Sequence, residues 1–237
     1  MIDDKLLHPD SCAVNNDSGV FVKVGIIGGT FNPIHLAHLR IAEGVRDSFG
    51  LDRVMFIPAA TPPHKPLAGE TPFAQRLAMV RLAIQGNPAF SVSEIEGQRE
   101  GMSYSIDTLR ALRADHPDDE FFFIIGSDSF QEIGSWHEFA AIFACCNLVA
   151  VERPGAAITD LMSVLPVSVA GEFAHYPAEH RLGHRSGYSV YYLRGIPFDI
   201  SSSAIRELAR QGRSLRYLVP PAVEHYIKEQ GLYADEH

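Results

Sequence analysis

From residue 21 to about residue 150 the chain alternates short β-branched apolar runs with segments of helical period, and few folds accommodate that order. FVKVGII (21–27) is apolar on both faces and bounded by a glycine pair, as a buried parallel strand is. HLAHLRIAEGVRDSFG (35–50) follows, with Leu36, Leu39, Ile41, Ala42 and Val45 at roughly helical spacing and Gly50 as a stop. Next come a strand at RVMFIPA (53–59), a helix over 73–85 and a strand at AFSVSEIE. A helix at YSIDTLRALRADH (104–116) has Ser103 or Ser105 near its N-cap. Strands in EFFFIIGSDS (120–129) and NLVAVERPG (147–155) close the series. The alternation predicts an α/β fold, a doubly wound Rossmann-like parallel sheet.

Beyond Gly155 the pattern loosens. Residues 166–188 hold Pro166, Pro177 and a basic cluster of His180, Arg181, His184 and Arg185, and read as a long irregular loop with solvated charges. SVYYLRGIP supplies another strand, ISSSAIRELARQG a capped helix, and PPAVEHYIKEQGLY a terminal helix. No linker divides the chain, so residues 21–237 are expected to form a single domain, with residues 1–20 a polar, mobile extension.

Composition narrows the function classes. Twenty basic against twenty-nine acidic residues give a net charge of −9, which argues against nucleic acid as a partner. An anionic ligand must therefore meet a local cluster of donors. No apolar stretch has the length of a membrane span, and the N-terminus lacks the basic-then-apolar pattern of a secretory signal, so a cytoplasmic location is expected. Cys12, Cys145 and Cys146 form no disulfide framework, and the adjacent pair reads as small buried thiols.

The densest chemistry lies in VGIIGGTFNPIHLAHLR (24–40). A strand delivers Gly28-Gly29-Thr30, where missing side chains let a ligand approach the backbone, and the start of the following helix favours an anion. His35 and His38, three residues apart, share one face of that helix's first turn and can donate hydrogen bonds to phosphate oxygens. A bare His-x-x-His is more often two unrelated histidines, and a zinc site would need a third ligand. Neither a Walker A sequence nor Gly-x-Gly-x-x-Gly is present. The joint occurrence of strand, glycine pair and histidine pair raises the phosphate reading. In ISSSAIR (200–206) one of Ser201, Ser202 and Ser203 should cap a helix, with Arg206 one turn in and able to fold back toward an anion. Alone, that segment is as well read as a plain serine cap. A doubly wound sheet gathers helix N-termini at the carboxyl ends of its strands, so the two anion sites can converge.

GGTFNPIHLAH (28–38), IPAATPPHK (57–65), YSIDTL (104–109), IIGSDS (124–129), Trp136, ERPG (152–155) and ISSSAIR (200–206) together resemble the nucleotidyltransferase superfamily that carries a (T/H)-x-G-H-type motif. The resemblance runs from about residue 22 to 233 and is closest to nicotinate-nucleotide adenylyltransferases. It implies transfer of AMP from ATP to nicotinate mononucleotide, giving nicotinate adenine dinucleotide (deamido-NAD) and pyrophosphate in NAD biosynthesis. The alternatives are a nicotinamide mononucleotide acceptor, or a non-catalytic nucleotide-binding regulator on the same fold.

Such a reaction is an in-line attack on the α-phosphorus and needs positioning and charge neutralisation more than proton transfer. The resemblance implies His35, His38, Lys65 and Arg206 as catalytic donors to the phosphates. Gly28, Gly29, Thr30, Phe31, Gly126, Asp128, Ser201, Ser202 and Ser203 would bind ATP, with Asp128 at the ribose. Tyr104, Ser105, Trp136 and Arg153 would hold the acceptor, with Trp136 stacked on the pyridine ring and Arg153 at the mononucleotide phosphate. Taken alone, Trp136 reads equally as packed core and Arg153 as a surface charge. Mg²⁺ is expected on ATP oxygens and water, without a dedicated protein site. His64 and Lys65 sit in a Pro-rich loop suited to closing over phosphates. Alanines at 59 and 60 and His137 stand where some relatives carry asparagines and tyrosine, so backbone amides would have to replace lost contacts to the ring substituent.

Overall fold

The structure, a computed structural model, describes residues 21–63, 71–195 and 199–234. Among these residues eight strands form one sheet: β1 (Lys23–Gly29), β2 (Arg53–Pro58), β3 (Phe90–Val92), β4 (Glu120–Gly126), β5 (Asn147–Val151), β6 (Phe173–Tyr176), β7 (Arg181–His184) and β8 (Ser189–Leu193). Their order is β3-β2-β1-β4-β5-β8-β7-β6. All pairings from β3 through β8 are parallel, whereas β7 runs antiparallel to both β8 and β6. The helices are α1 (Leu36–Phe49), α2 (Phe73–Ile84), α3 (Ser105–Asp115), α4 (Ser127–Gln131), α5 (Phe139–Ile142), α6 (Leu161–Val164), α7 (Val167–Ala170), α8 (Ser202–Arg210) and α9 (Pro221–Glu229).

Side chains of a strand alternate between faces, and each face here has its own core. Phe121, Phe123 and Ile125 of β4 pack with Ile106, Leu109 and Leu112 of α3 and with the segments that follow it. Phe122 and Ile124 pack with residues of α1, α2, α8 and α9. That is a doubly wound sheet, and it explains why β4 and β5 read as unbroken apolar runs. Helix α1 ends as expected at Gly50, whose φ of 59° is left-handed.

Two expectations need correction. Residues 166–188 are not an irregular loop: they hold α7, β6, a short 3₁₀ turn (Pro177–Glu179) and β7, which extend the sheet with antiparallel strands. The strands are only four residues long, so their alternation is easily missed, yet Phe173 and Leu182 point into the core. Pro166 and Pro177 mark the N-cap of α7 and the first residue of the 3₁₀ turn. Three members of the basic cluster are paired. Arg181 meets Glu179 at 2.7 Å and lies over the Tyr176 ring, while His184 and Arg185 meet Glu172 at 3.0 and 3.1 Å. They brace the antiparallel pair and leave little for a phosphate.

The second correction concerns α3. Its N-cap is Tyr104, with no side-chain cap bond, and Ser103 instead accepts from the amides of Ala60 and Thr61. Cys146 is buried and Cys145 half-buried, both free thiols. Among the described residues no helix is long and apolar enough to cross a membrane. The expected extension at 1–20, with Cys12, lies outside the described residues.

Candidate active site

The chain leaves β1 toward β2 on one side and returns as β4 on the other, so the carboxyl ends of β1 and β4 flank a topological switch point. Gly28 and Gly29 end β1, Ala59 to Thr61 follow β2, Gly126 to Asp128 end β4, and Arg153 follows β5. The sheet thus brings most of the expected site residues to one edge. Gly28 is exposed there after four buried residues, and a Cβ on it would touch only the Phe123 ring at 3.9 Å. Its openness serves the crevice, since interior packing does not require it.

The turn after β1 is tightly held. Phe31 is buried with a φ of 49°, a left-handed conformation that costs about 1–3 kcal/mol for a non-glycine residue. Asn32 is buried behind it. Three side chains from distant parts of the sequence fasten this turn. Arg206 Nη1 donates to the Asn32 carbonyl at 2.8 Å, Ser202 donates to the Pro33 carbonyl at 2.9 Å, and the Tyr233 hydroxyl donates to Asn32 Oδ1 at 2.7 Å. Ser201 is the α8 cap, accepting from the Ala204 amide at 3.2 Å, with Ser203 beside it. The two motifs therefore converge, and α8 is latched directly onto the glycine-rich turn.

His35 caps α1 and His38 lies one turn in, with their rings stacked 3.7 Å apart. They are not equivalent. His35 is 1% exposed, and its Nδ1 has no hydrogen-bond partner among the described residues. His38 is partly open to solvent, with the Phe31 ring edge-on at 5.0 Å. The His35 amide donates to His38 Nδ1 at 3.2 Å, so the neutral His38 ring carries its proton on Nε2. His38 is thus the half-buried residue of the stacked pair and His35 the buried one. The α1 amides contribute less than the motif suggests: Leu36 already donates to the Leu218 carbonyl at 2.9 Å.

Burial, and then the charge of Arg153, push the His35 pKa down to about 4. Burial, His35 and Arg153 also hold His38 well below the ordinary imidazole range. Both rings are therefore neutral donors near pH 7. The unfolded chain takes up protons first, so stability from His35 is complete above pH 6.5 and is lost as pH falls toward about 4. Melting temperature measured across that window should drop more steeply for this chain than for His35→Asn, which keeps a good N-cap residue. Equal slopes would rule out the imidazole as the cause.

Arg153 organises the ends of β4 and β5. Its amide donates to the buried Ser127 hydroxyl at 2.9 Å, and its guanidinium lies 3.5 Å from Asp128. A Cβ on Gly126 would come within 2.2 Å of the Asp128 carboxylate and 2.8 Å of the Arg153 side chain. Glycine there is what allows these two groups to meet. The charge of Arg153 acts on the histidine pair as well.

On the other side, Trp136 is partly buried, with its ring 6.2 Å from Phe123 in an edge contact, and it packs on the same core as Tyr104. Tyr104 stacks on His137 at 4.2 Å. Ser105 opens α3. The amides of residues 59 to 61 do not stand free for a ring substituent: Ala59 donates to the Gly29 carbonyl, and Ala60 and Thr61 donate to Ser103. Backbone amides that replace the asparagines of other members would therefore come from elsewhere than residues 59 to 61. Lys65 and His64 lie outside the described residues.

The model of the cytidylyltransferase-like family matches residues 26–208, a span that contains both the glycine–histidine turn and the serine-capped helix. A relative from Geobacter metallireducens, named "Probable nicotinate-nucleotide adenylyltransferase", is 67% identical over 215 residues, covering 91% of this chain and 100% of its own length. The chain belongs to the nicotinate-nucleotide adenylyltransferase family. A second member of the family, from Geobacter sulfurreducens and named in the same words, is 65% identical over 91% of this chain. The fold agrees as well. The Plasmodium falciparum nicotinic acid mononucleotide adenylyltransferase complexed with NaAD superposes with a TM-score of 0.70 at 20% identity, covering 90% of this chain and 97% of that one.

Three residues that the motifs did not point to hold this family site together. Arg76 of α2 is 1% exposed and donates to the carbonyls of Thr30 at 2.7 Å, Thr71 at 3.1 Å and Ala60 at 3.4 Å. Its signal was in the sequence: it lies at i, i+4, i+8 spacing with buried Val80 and Ile84, on an otherwise apolar face. Tyr233 left no local signal, because its partner is 201 residues away. Glu96 is the third.

Proposed function

We propose that this chain transfers AMP from ATP to nicotinate mononucleotide, releasing pyrophosphate and forming nicotinate adenine dinucleotide. One observation carries the reading: α8, through Ser202 and Arg206, is bonded to the same turn that leads into the paired histidines. Two donor clusters are thereby fixed on one crevice, as a triphosphate requires.

In this reading the triphosphate lies along Gly28–Thr30, with the His38 Nε2 proton, Arg206 and Lys65 donating to phosphate oxygens and His35 supporting His38 from below. Arg206 directs one N–H to Asn32, and its remaining donors serve the phosphates. Asp128, held by Arg153, accepts from the ribose. The acceptor phosphate approaches on the Arg153 side, with its ring between Trp136 and Tyr104. A phosphate monoester is already a nucleophile near neutral pH, so neutral histidines suit a reaction that needs donors and no general base. Mg²⁺ fits as a companion of ATP, because among the described residues the one carboxylate in the cluster, Asp128, is turned to Arg153. When bound it neutralises triphosphate charge. A cytoplasmic site of action accords with both substrates.

The acid is favoured over the amide because α3 begins without a side-chain cap, leaving first-turn amides beside Tyr104 and Ser105 for a carboxylate. Pyrophosphate release with Mg²⁺ and ATP should be faster with nicotinate than with nicotinamide mononucleotide by about tenfold or more. Preference for the amide would keep the chemistry and overturn the acceptor. ATP binding without turnover on either would mark a regulator.

A further inference from the structure

Glu96 lies between β3 and α3, in none of the motifs that point to the site, yet it is only 8% exposed. Its Oε1 accepts the hydroxyl of Thr108, itself buried on α3, at 2.8 Å. Its Oε2 is buried and has no hydrogen-bond partner among the described residues. Arg99 reaches the same Thr108 hydroxyl at 3.3 Å. Ser103 and the Ala60 amide also lie near enough to influence the carboxyl. Ser103 in turn accepts from the amides of Ala60 and Thr61, each at 3.1 Å.

These contacts share a direction. Through Thr108 the carboxyl holds the helix whose N-terminus is Tyr104 and Ser105, and it lies beside Ser103, whose hydroxyl fixes the backbone of residues 60 and 61. Among the described residues, the contacts of Glu96 do not involve Thr30, the histidine pair, Arg153 or α8. We propose that Glu96 is a positioning residue of the acceptor pocket, setting the Ala60–Thr61 backbone against the first turn of α3. The inference rests on the functional reading above, which puts the acceptor ring against Tyr104 and its carboxylate on the first turn of α3, the wall that faces the Ala60–Thr61 backbone. Burial is the largest influence on the carboxyl and pushes its pKa up, and a glutamine keeps its shape and the oxygen that accepts from Thr108.

The test is steady-state kinetics of the full chain with nicotinate mononucleotide varied at saturating ATP, then the reverse, for Glu96→Ala, Glu96→Gln and Ser103→Ala. The expected result is a rise of about tenfold in acceptor KM for Glu96→Ala, the cost of one lost buried hydrogen bond. The KM for ATP should stay within about twofold, since uniform loosening would move both. Glu96→Gln should restore most of the acceptor affinity, and Ser103→Ala should reproduce the acceptor-only rise. Equal rises in both KM values, or an unchanged acceptor KM, would overturn the proposal. If Glu96→Ala does not fold, Ser103→Ala decides by the same criterion. A parent chain inactive with nicotinate mononucleotide would overturn the functional reading instead, before any variant is compared.

Discussion

His38→Ala should lower kcat by about 10²–10³, the cost of removing one preorganised donor from a developing charge, and leave the fold intact. Of the stacked pair, His38 is half-buried where His35 is buried, and in the proposed reading its ring is the one that meets the phosphates. Its proton is placed without a carboxylate partner. Nδ1 accepts the His35 amide, so Nε2 must donate. A low pKa keeps the ring neutral, and the donor strength at Nε2 is therefore steady near pH 7. His35 differs. It is the helix cap and the buried floor, so His35→Ala should lose stability as well as rate. Rapid-quench or pyrophosphate-coupled kinetics, with melting curves for both variants, would separate the two roles. A His38→Ala enzyme within a few-fold of the parent kcat would remove His38 from the chemistry.

How much of this was readable in the chain follows the range of the interactions. The parallel sheet was legible because β4 and β5 are buried on both faces and their sequences say so locally. The glycine turn, the histidine pair and the serine cap were legible for the same reason, each being a contiguous motif. What the sequence hid was of two kinds. Short antiparallel strands β6 and β7 carry only two core residues between them, Phe173 and Leu182, too few to establish a period. The other kind is long-range hydrogen bonding. Ser103 looked like a helix cap and turned out to anchor the amides of residues 60 and 61, more than forty positions away. No periodicity encodes such a choice between a local and a distant partner.

Arg76→Met should be the most destabilising single change at this site, and its kinetic signature should differ from that of Glu96. Methionine keeps much of the volume and removes the cation, so three backbone carbonyls lose a charge-assisted donor at once. Bonds of that kind contribute about 1.5–3 kcal/mol each, and strain relief would recover part of the loss. A net cost of about 3–5 kcal/mol corresponds to a fall of roughly 10 °C in melting temperature for a chain of this length. Catalysis should suffer at both substrates. In the proposed reading Thr30 belongs to the phosphate turn and Ala60 to the acceptor wall, and the same guanidinium bonds to both carbonyls. KM for ATP and for the acceptor should therefore rise together, where Glu96→Ala moves only one. Arg76→Lys is the sharper control: it retains the charge but cannot present a planar fork to three carbonyls in fixed directions, so it should recover little of either KM. If lysine restores both substrates fully, the charge alone suffices, and the geometric link between the two halves of the crevice is wrong.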